Sequence, residues 1–189
     1  MAKSFAKYFI ALVPEGIIQE KATDLKELLK ENFNLKYALK SPAHITIKMP
    51  FHWNELKEEK LTHLLQSFFK DKRAFQLKLS GFNKFGRRVI FIDVVPTPEL
   101  LEMQRSLGEF AKTELKQPIE LSDKSFHPHM TVAFKDIKFA KFDEYWQFIK
   151  KQAFDHVYPV NSVALLKRIE GRWVLIQSFP LLSLENNPT

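Results

Sequence analysis

The 189-residue chain has no cysteine and no apolar run long enough to span a bilayer. Without thiols there are no disulfides, no thiolate metal sites and no cysteine nucleophile, which fits a reducing compartment. Without about 20 consecutive apolar residues there is no transmembrane helix to place. Met1 to Val13 begins basic, but Pro14 and Glu15 break the stretch and no small-residue cleavage pattern follows, so it does not read as a signal peptide. A cytoplasmic protein is expected. Acidic residues are also in the minority: 22 Asp plus Glu against 29 Lys plus Arg leave a net charge of +7. That balance favours polyanionic partners without saying where they bind. Nothing calls for a membrane or an obligate protein partner, and a monomer is expected. What is plentiful is apolar material, 45% of the chain, enough for a core in one compact domain or two small, closely packed lobes.

Strand-like and helix-like patterns alternate. Tyr8 to Val13 is a short apolar run ended by Pro14, and Gly16 to Asn32 carries apolar residues at helical spacing. His44 to Met49 alternates as a strand, Asn54 caps a helix to about Lys70, with Leu56, Leu61, Leu64, Leu65 and Phe68 on its apolar side, and Phe75 to Phe82 is a strand. The second half repeats the order. Val89 to Val95 is a β-branched strand, Pro98 opens a helix to about Leu115, His129 to Phe134 alternates, and Phe142 to Gln152 is a helix. Val157 to Lys167 and Arg172 to Leu182 flank the turn at Glu170 and Gly171 as a C-terminal hairpin. Aligning the halves sets Pro14 opposite Pro96 and His44 opposite His129. The histidines follow their prolines by 30 and 33 residues, as in a duplicated lobe with small loop changes. The expected fold is α+β, one domain over 1–183 with pseudo-symmetric lobes from 1–85 and 86–183. Antiparallel or mixed sheet, with outer helices, would surround a central cleft, and 184–189 would be a tail.

The paired strands read His44-Ile45-Thr46-Ile47-Lys48 and His129-Met130-Thr131-Val132-Ala133. Strand side chains alternate faces, so His44, Thr46 and Lys48 should share one face and Ile45, Ile47 and Met49 the other. His129 and Thr131 likewise oppose Met130, Val132 and Phe134. A single H-x-T is weak, because a strand histidine is usually just half-buried and hydrogen-bonded. Two copies on equivalent strands would gather four polar groups around a pseudo-twofold axis. Two imidazoles suit a transfer in which one proton is removed from an attacking group and another is given to a departing oxygen. A pKa of about 6.5 lets neutral and protonated copies coexist near neutrality, and neither metal nor cofactor is required. The threonine hydroxyls would donate to oxygens on which negative charge builds in such a transfer.

The segments Ala43-His44-Ile45-Thr46-Ile47 and Phe126-His127-Pro128-His129-Met130-Thr131-Val132 resemble the paired motifs of the 2H phosphoesterase superfamily, particularly its 2′-5′ RNA ligase-like branch. The resemblance covers nearly the whole chain. It implies two βαβ-type lobes around one cleft and hydrolysis of 2′,3′-cyclic phosphates at RNA or nucleotide ends to 2′-phosphates. It also implies reversible 2′-5′ ligation in some members. It assigns His44 as acid and His129 as base, roles that sequence symmetry leaves open. A non-catalytic RNA-binding or nucleotide-binding module is the alternative. So is the same chemistry on ADP-ribose 1″,2″-cyclic phosphate, 2′-5′ oligoadenylate or terminal uridines.

Other residues are candidates for substrate binding. Lys48 would approach the phosphate from the threonine face, and Arg87 and Arg88 would hold RNA phosphates at the cleft entrance. Trp173, Phe51 and Trp53 are candidates for stacking a base, although most of the 18 Phe must be core. His127 and His129 form an H-x-H, but no carboxylate stands at a ligand spacing and Pro128 interrupts the strand start, so no metal site is expected. His127 is read as a supporting or surface residue, and His52, His63 and His156 as surface or core.

Overall fold

The computed structural model describes residues 4–119, 121 and 125–183; the expected tail at 184–189 lies outside them. Chain order is β1 (Phe5–Leu12), α1 (Gly16–Phe33), β2 (Ile45–Asn54), α2 (Glu58–Phe69), β3 (Phe75–Phe85), β4 (Val89–Val94), α3 (Pro98–Thr113), β5 (His129–Ala133), α4 (Phe142–Ile149), β6 (Asp155–Val160), β7 (Ser162–Ile169) and β8 (Arg172–Pro180). Local chemistry sets the boundaries. Asn34 closes α1 in the left-handed conformation, φ 59°, its N–H returning to the carbonyls of Leu29 and Lys30. Thr97 caps α3 by accepting from the N–H of Leu100, with Pro98 at the first helical turn. Asn54 caps a short 3-10 turn, Glu55–Lys57, rather than α2 itself, and leaves Leu56 71% exposed. No helix among the described residues is long and apolar enough to cross a membrane.

All the strands join one sheet in the order β6-β3-β4-β5-β2-β1-β7-β8, and every strand pair is antiparallel. The order reads symmetrically outward from the central β5 and β2, so the two lobes are halves of one sheet. They are not the sequence halves 1–85 and 86–183. β3 pairs with β4 and β6 in the second lobe, while β7 and β8 return to β1 in the first. The expected strand from Val157 to Lys167 is accordingly two strands broken at Asn161. β6 and β7 are six positions apart in the sheet, about 29 Å if it were flat. The link from Val160 to Ser162 spans only about 7 Å. The sheet must therefore curl until the end of edge strand β6 reaches the start of β7. Beyond β8, the backbone of Leu182 bonds to Lys72 and Ala74 at the entrance to β3, which draws the edges together a second time.

One face is sealed by the helices. Ile10, Leu12, Ile45, Ile47, Ile90, Ile92, Met130 and Val132 pack there against Leu25, Leu29, Leu61, Leu65, Leu107 and Tyr145. The opposite face has only a small apolar floor of Phe9, Ala11, Ala164 and Leu166, flanked by Val13 and Trp173. Uncovered by helices, that face is where the polar side chains of β2 and β5 emerge.

Candidate active site

β2 and β5 are hydrogen-bonded neighbours, with Ile45 directly opposite Met130. Continuing this antiparallel register one step each way sets His44 across from Thr131 and Thr46 across from His129. The two H-x-T segments thus form a quartet related by a local twofold through the Ile45–Met130 pair. That pair points into the helix-side core, and the quartet points the other way. Both histidines and both threonines line one cavity of about 390 Å³.

Each motif strand carries a β-bulge immediately after its threonine. Ile10 and Ala11 of β1 pair with Lys48 and Thr46, leaving Ile47 as an extra residue; Ile90 and Phe91 of β4 pair with Ala133 and Thr131, leaving Val132 extra. Beyond the bulge the alternation inverts. Lys48 follows Ile10 to the helix side, is 2% exposed and donates to the carbonyl of Pro118 at 3.0 Å. Its expected place on the threonine face is therefore corrected, and Met49 lines the cavity instead. Phe134, expected opposite His129, also reaches the cavity wall, where it packs edge-on against Tyr37.

The imidazoles are held alike. His44 Nδ1 lies 2.8 Å from the carbonyl of Pro42, and His129 Nδ1 lies 2.7 Å from the carbonyl of His127. A carbonyl only accepts, so Nδ1 carries the proton and Nε2 is left as the titrating nitrogen on the cleft side. Phe9 backs the ring of His44 at 4.8 Å and Phe91 that of His129 at 5.1 Å. Gln19 of α1 aims the first motif. Its Nε2 donates to the carbonyls of Pro14 and Ala43, and its Oε1 accepts from the N–H of Ala43, so both backbone groups of the residue before His44 are clamped. Lys26, 2% exposed, donates to the carbonyl of Ser41 in the same loop.

Burial lowers both histidine pKa values. For His44 the value falls to about 4: burial outweighs the Pro42 hydrogen bond, and the charges of Lys26 and His129 add to the depression. For His129 burial again dominates over the bond to His127, whose own charge lowers it further. Both rings are therefore neutral at pH 7. His44 lacks a carboxylate partner among the described residues.

The cavity wall is cationic. Lys7, Lys135 and Arg168 line it, and no carboxylate does so among the described residues. Lys135 donates to the hydroxyl of Tyr37 at 3.1 Å, and with Arg168 it lowers the pKa of that phenol. Asp136 accepts from the N–H groups of Lys36 and Tyr37, tying the loop after β5 to the loop before β2 across the mouth. Trp173 stands in the wall, edge-on to Phe9 at 4.6 Å. Arg87 and Arg88 line an adjoining groove rather than the cavity itself. Phe51 is 5% exposed in the core, and the indole of Trp53 donates to the carbonyl of Lys57, so neither is placed to stack a base. His127 supports His129 through its backbone, and its ring lies 3.9 Å from Asp93. Sequence reasoning missed Lys7, Gln19, Tyr37, Lys135 and Arg168. Lys7 and Arg168 are detectable from strand alternation, with Phe9 in β1 and with Leu166 in β7, whereas the others depend on loop and helix placement.

Fold and cleft together define a class, a curled antiparallel sheet presenting two His/Thr pairs on adjacent central strands. Residues 13–172 match the family model of the 2′-5′ RNA ligase superfamily. The chain belongs to that superfamily. It is 27% identical over 184 residues to a Bacillus mycoides (strain KBAB4) protein whose name assigns it, provisionally, to the phosphoesterases; the match covers 96% of this chain and 99% of the relative. A similarly named Bacillus anthracis protein is 25% identical over 178 residues, covering 93% and 96%. Among solved structures, apo Escherichia coli LigT superposes with a TM-score of 0.64 at 17% identity, covering 95% of this chain and 99% of LigT. A Thermus thermophilus structure superposes at 0.65 with 17% identity, covering 95% and 100%. At these identities the superpositions establish the shared fold.

Proposed function

We propose that the protein is a metal-independent phosphodiesterase that opens 2′,3′-cyclic phosphates at RNA or nucleotide ends. The reading rests on one observation: the antiparallel register sets two His/Thr pairs in a twofold quartet lining a single cavity. A phosphate centred on that quartet would meet Nε2 of one histidine on the side of the attacking water and Nε2 of the other on the side of the leaving oxygen. One ring takes the water proton as the new P–O bond forms. The bond from phosphorus to the ribose 3′ oxygen breaks, and the other ring protonates that oxygen, leaving a 2′-phosphate and a 3′-hydroxyl. The same sequence with a 5′-hydroxyl end entering in place of water forms the 2′-5′ link as the bond to the 3′ oxygen breaks, which is ligation; its reverse, attack of the 3′-hydroxyl on that link, restores the cyclic phosphate and frees the 5′-hydroxyl. Thr46 and Thr131 donate to the non-bridging oxygens as negative charge builds, and Lys7, Lys135 and Arg168 supply the field that draws an anion into the cleft.

Ligands of the structural relative agree with this reading, since LigT has been solved with 3′-AMP and with ATP. The test is turnover of nucleoside 2′,3′-cyclic monophosphates with EDTA present, by the wild type, His44→Ala and His129→Ala. The wild type should retain its rate in chelator, and each substitution should remove most of it without unfolding the protein. Near-normal turnover by both variants would show the quartet to be the wrong site.

A further inference from the structure

A second groove, of about 430 Å³, adjoins the catalytic cavity and shares three of its wall residues, Val89, Phe134 and Lys135. Its remaining wall comprises Arg87, Arg88, Ile137 and Phe139, again without a carboxylate. Two features are unusual for a surface crease. Phe139 is 69% exposed, where an aromatic ring contributes nothing to the core. The guanidinium of Arg87 lies 5.0 Å over that ring and is fastened behind it by an ion pair with Asp143 at 2.6 Å. Arg87 thereby stiffens the platform, leaving Arg88 and Lys135 as the cations that face an incoming ligand. Lys135 stands at the junction, its ammonium tied to Tyr37 on the catalytic side.

Building on the phosphodiesterase reading, we infer that this groove is a subsite for the penultimate nucleotide of the strand. Its base stacks on Phe139, and the phosphodiester joining it to the terminal nucleoside lies between Lys135 and Arg88. The chemistry favours this occupant. A nucleoside 2′,3′-cyclic monophosphate carries one negative charge, which the quartet already accommodates, and offers nothing to the second set of cations. A strand continuing from the 5′ oxygen of the terminal ribose presents the next phosphate and the next base in the required order, anion first and flat ring beyond. Exposed aromatic rings beside basic side chains hold single strands in this way, with little base preference. The preferred substrate is therefore an oligonucleotide end rather than a free cyclic nucleotide.

The experiment compares kcat/KM for a nucleoside 2′,3′-cyclic monophosphate with that for a dinucleotide ending in the same cyclic phosphate. The wild type should prefer the dinucleotide by about tenfold, within the range one stacked base provides. Phe139→Ala and Arg88→Ala, both exposed positions, should each cut that ratio about threefold or more, while Arg105→Ala on the outer face of α3 should leave it intact and so control for bulk charge. Equal kcat/KM for the two substrates, or a preference that both groove variants retain, would overturn the subsite while leaving the phosphodiesterase reading in place. Turnover of neither substrate by the wild type would overturn both.

Discussion

Gln19→Leu tests whether α1 aims the catalytic ring. The substitution keeps the bulk of the side chain and removes four hydrogen bonds: two donated by Nε2 to the carbonyls of Pro14 and Ala43, at 2.9 and 3.0 Å, and two accepted by Oε1, from the N–H of Ala43 at 2.7 Å and from the hydroxyl of Thr23 at 3.4 Å. Ala43 is fully buried, so its N–H and C=O lose their partners. Leaving a buried backbone group unsatisfied costs about 1–3 kcal/mol. Gln19 itself is only half-buried, so water reaches part of the gap and the lower end applies, about 2 kcal/mol for both groups. In a chain of 189 residues that is a fall in Tm of about 4–8 °C. The effect on rate should be larger than the effect on binding. His44 follows Ala43 directly, and a displacement of about 1 Å in a reacting group costs on the order of 100-fold. Thermal denaturation together with steady-state kinetics on a 2′,3′-cyclic nucleotide should therefore show the Tm loss and a kcat reduced about 10–100-fold, with KM changed little. Gln19→Leu with wild-type kcat would refute the idea that this clamp positions the ring.

Thr46→Val and Thr131→Val, which keep shape and remove the hydroxyl, should each lower kcat about 100-fold or more, as expected for a donor to transition-state charge; unchanged rates would remove the threonines from the mechanism. The pH profile of kcat/KM should be bell-shaped and centred below about 6.5. Burial lowers both histidines, His44 to about 4, so the base becomes neutral and the acid loses its proton at lower pH than ordinary imidazoles. A profile centred above 7 would contradict those environments. Lys48→Met should leave kcat/KM within about twofold, because the ammonium points into the helix-side core toward Pro118 and a group that does not meet the substrate adds nothing to transition-state binding; a large loss would return Lys48 to the cleft.

Most of the chemistry was legible in the sequence because H-x-T spacing matches the strand period, so His44 with Thr46 and His129 with Thr131 had to share a face. The helices were equally readable from apolar spacing and from Pro98 at the start of α3. What failed was whatever depends on departures from ideal alternation. The bulges at Ile47 and Val132 leave no compositional mark, yet they turn Lys48 away from the cleft and bring Met49 into it. The crossover at Asn161 was hidden for a similar reason. β6 and β7 are both apolar, and nothing between them announces that one pairs with β3 and the other with β1. The loop cation Lys135 was unreadable as well, since it reaches the cavity only because the curled sheet brings the loop after β5 to the same mouth as the end of β7.

The account is tested most directly by the kcat of His44→Ala, His129→Ala and the double variant on one cyclic nucleotide, with folding checked by circular dichroism. Two rings serving the same phosphorus act as a unit, so the double variant should be no slower than the slower single one, within about threefold. A double variant slowed by the product of the two single losses would mean that the histidines work independently, and the shared-phosphate cleft would be wrong.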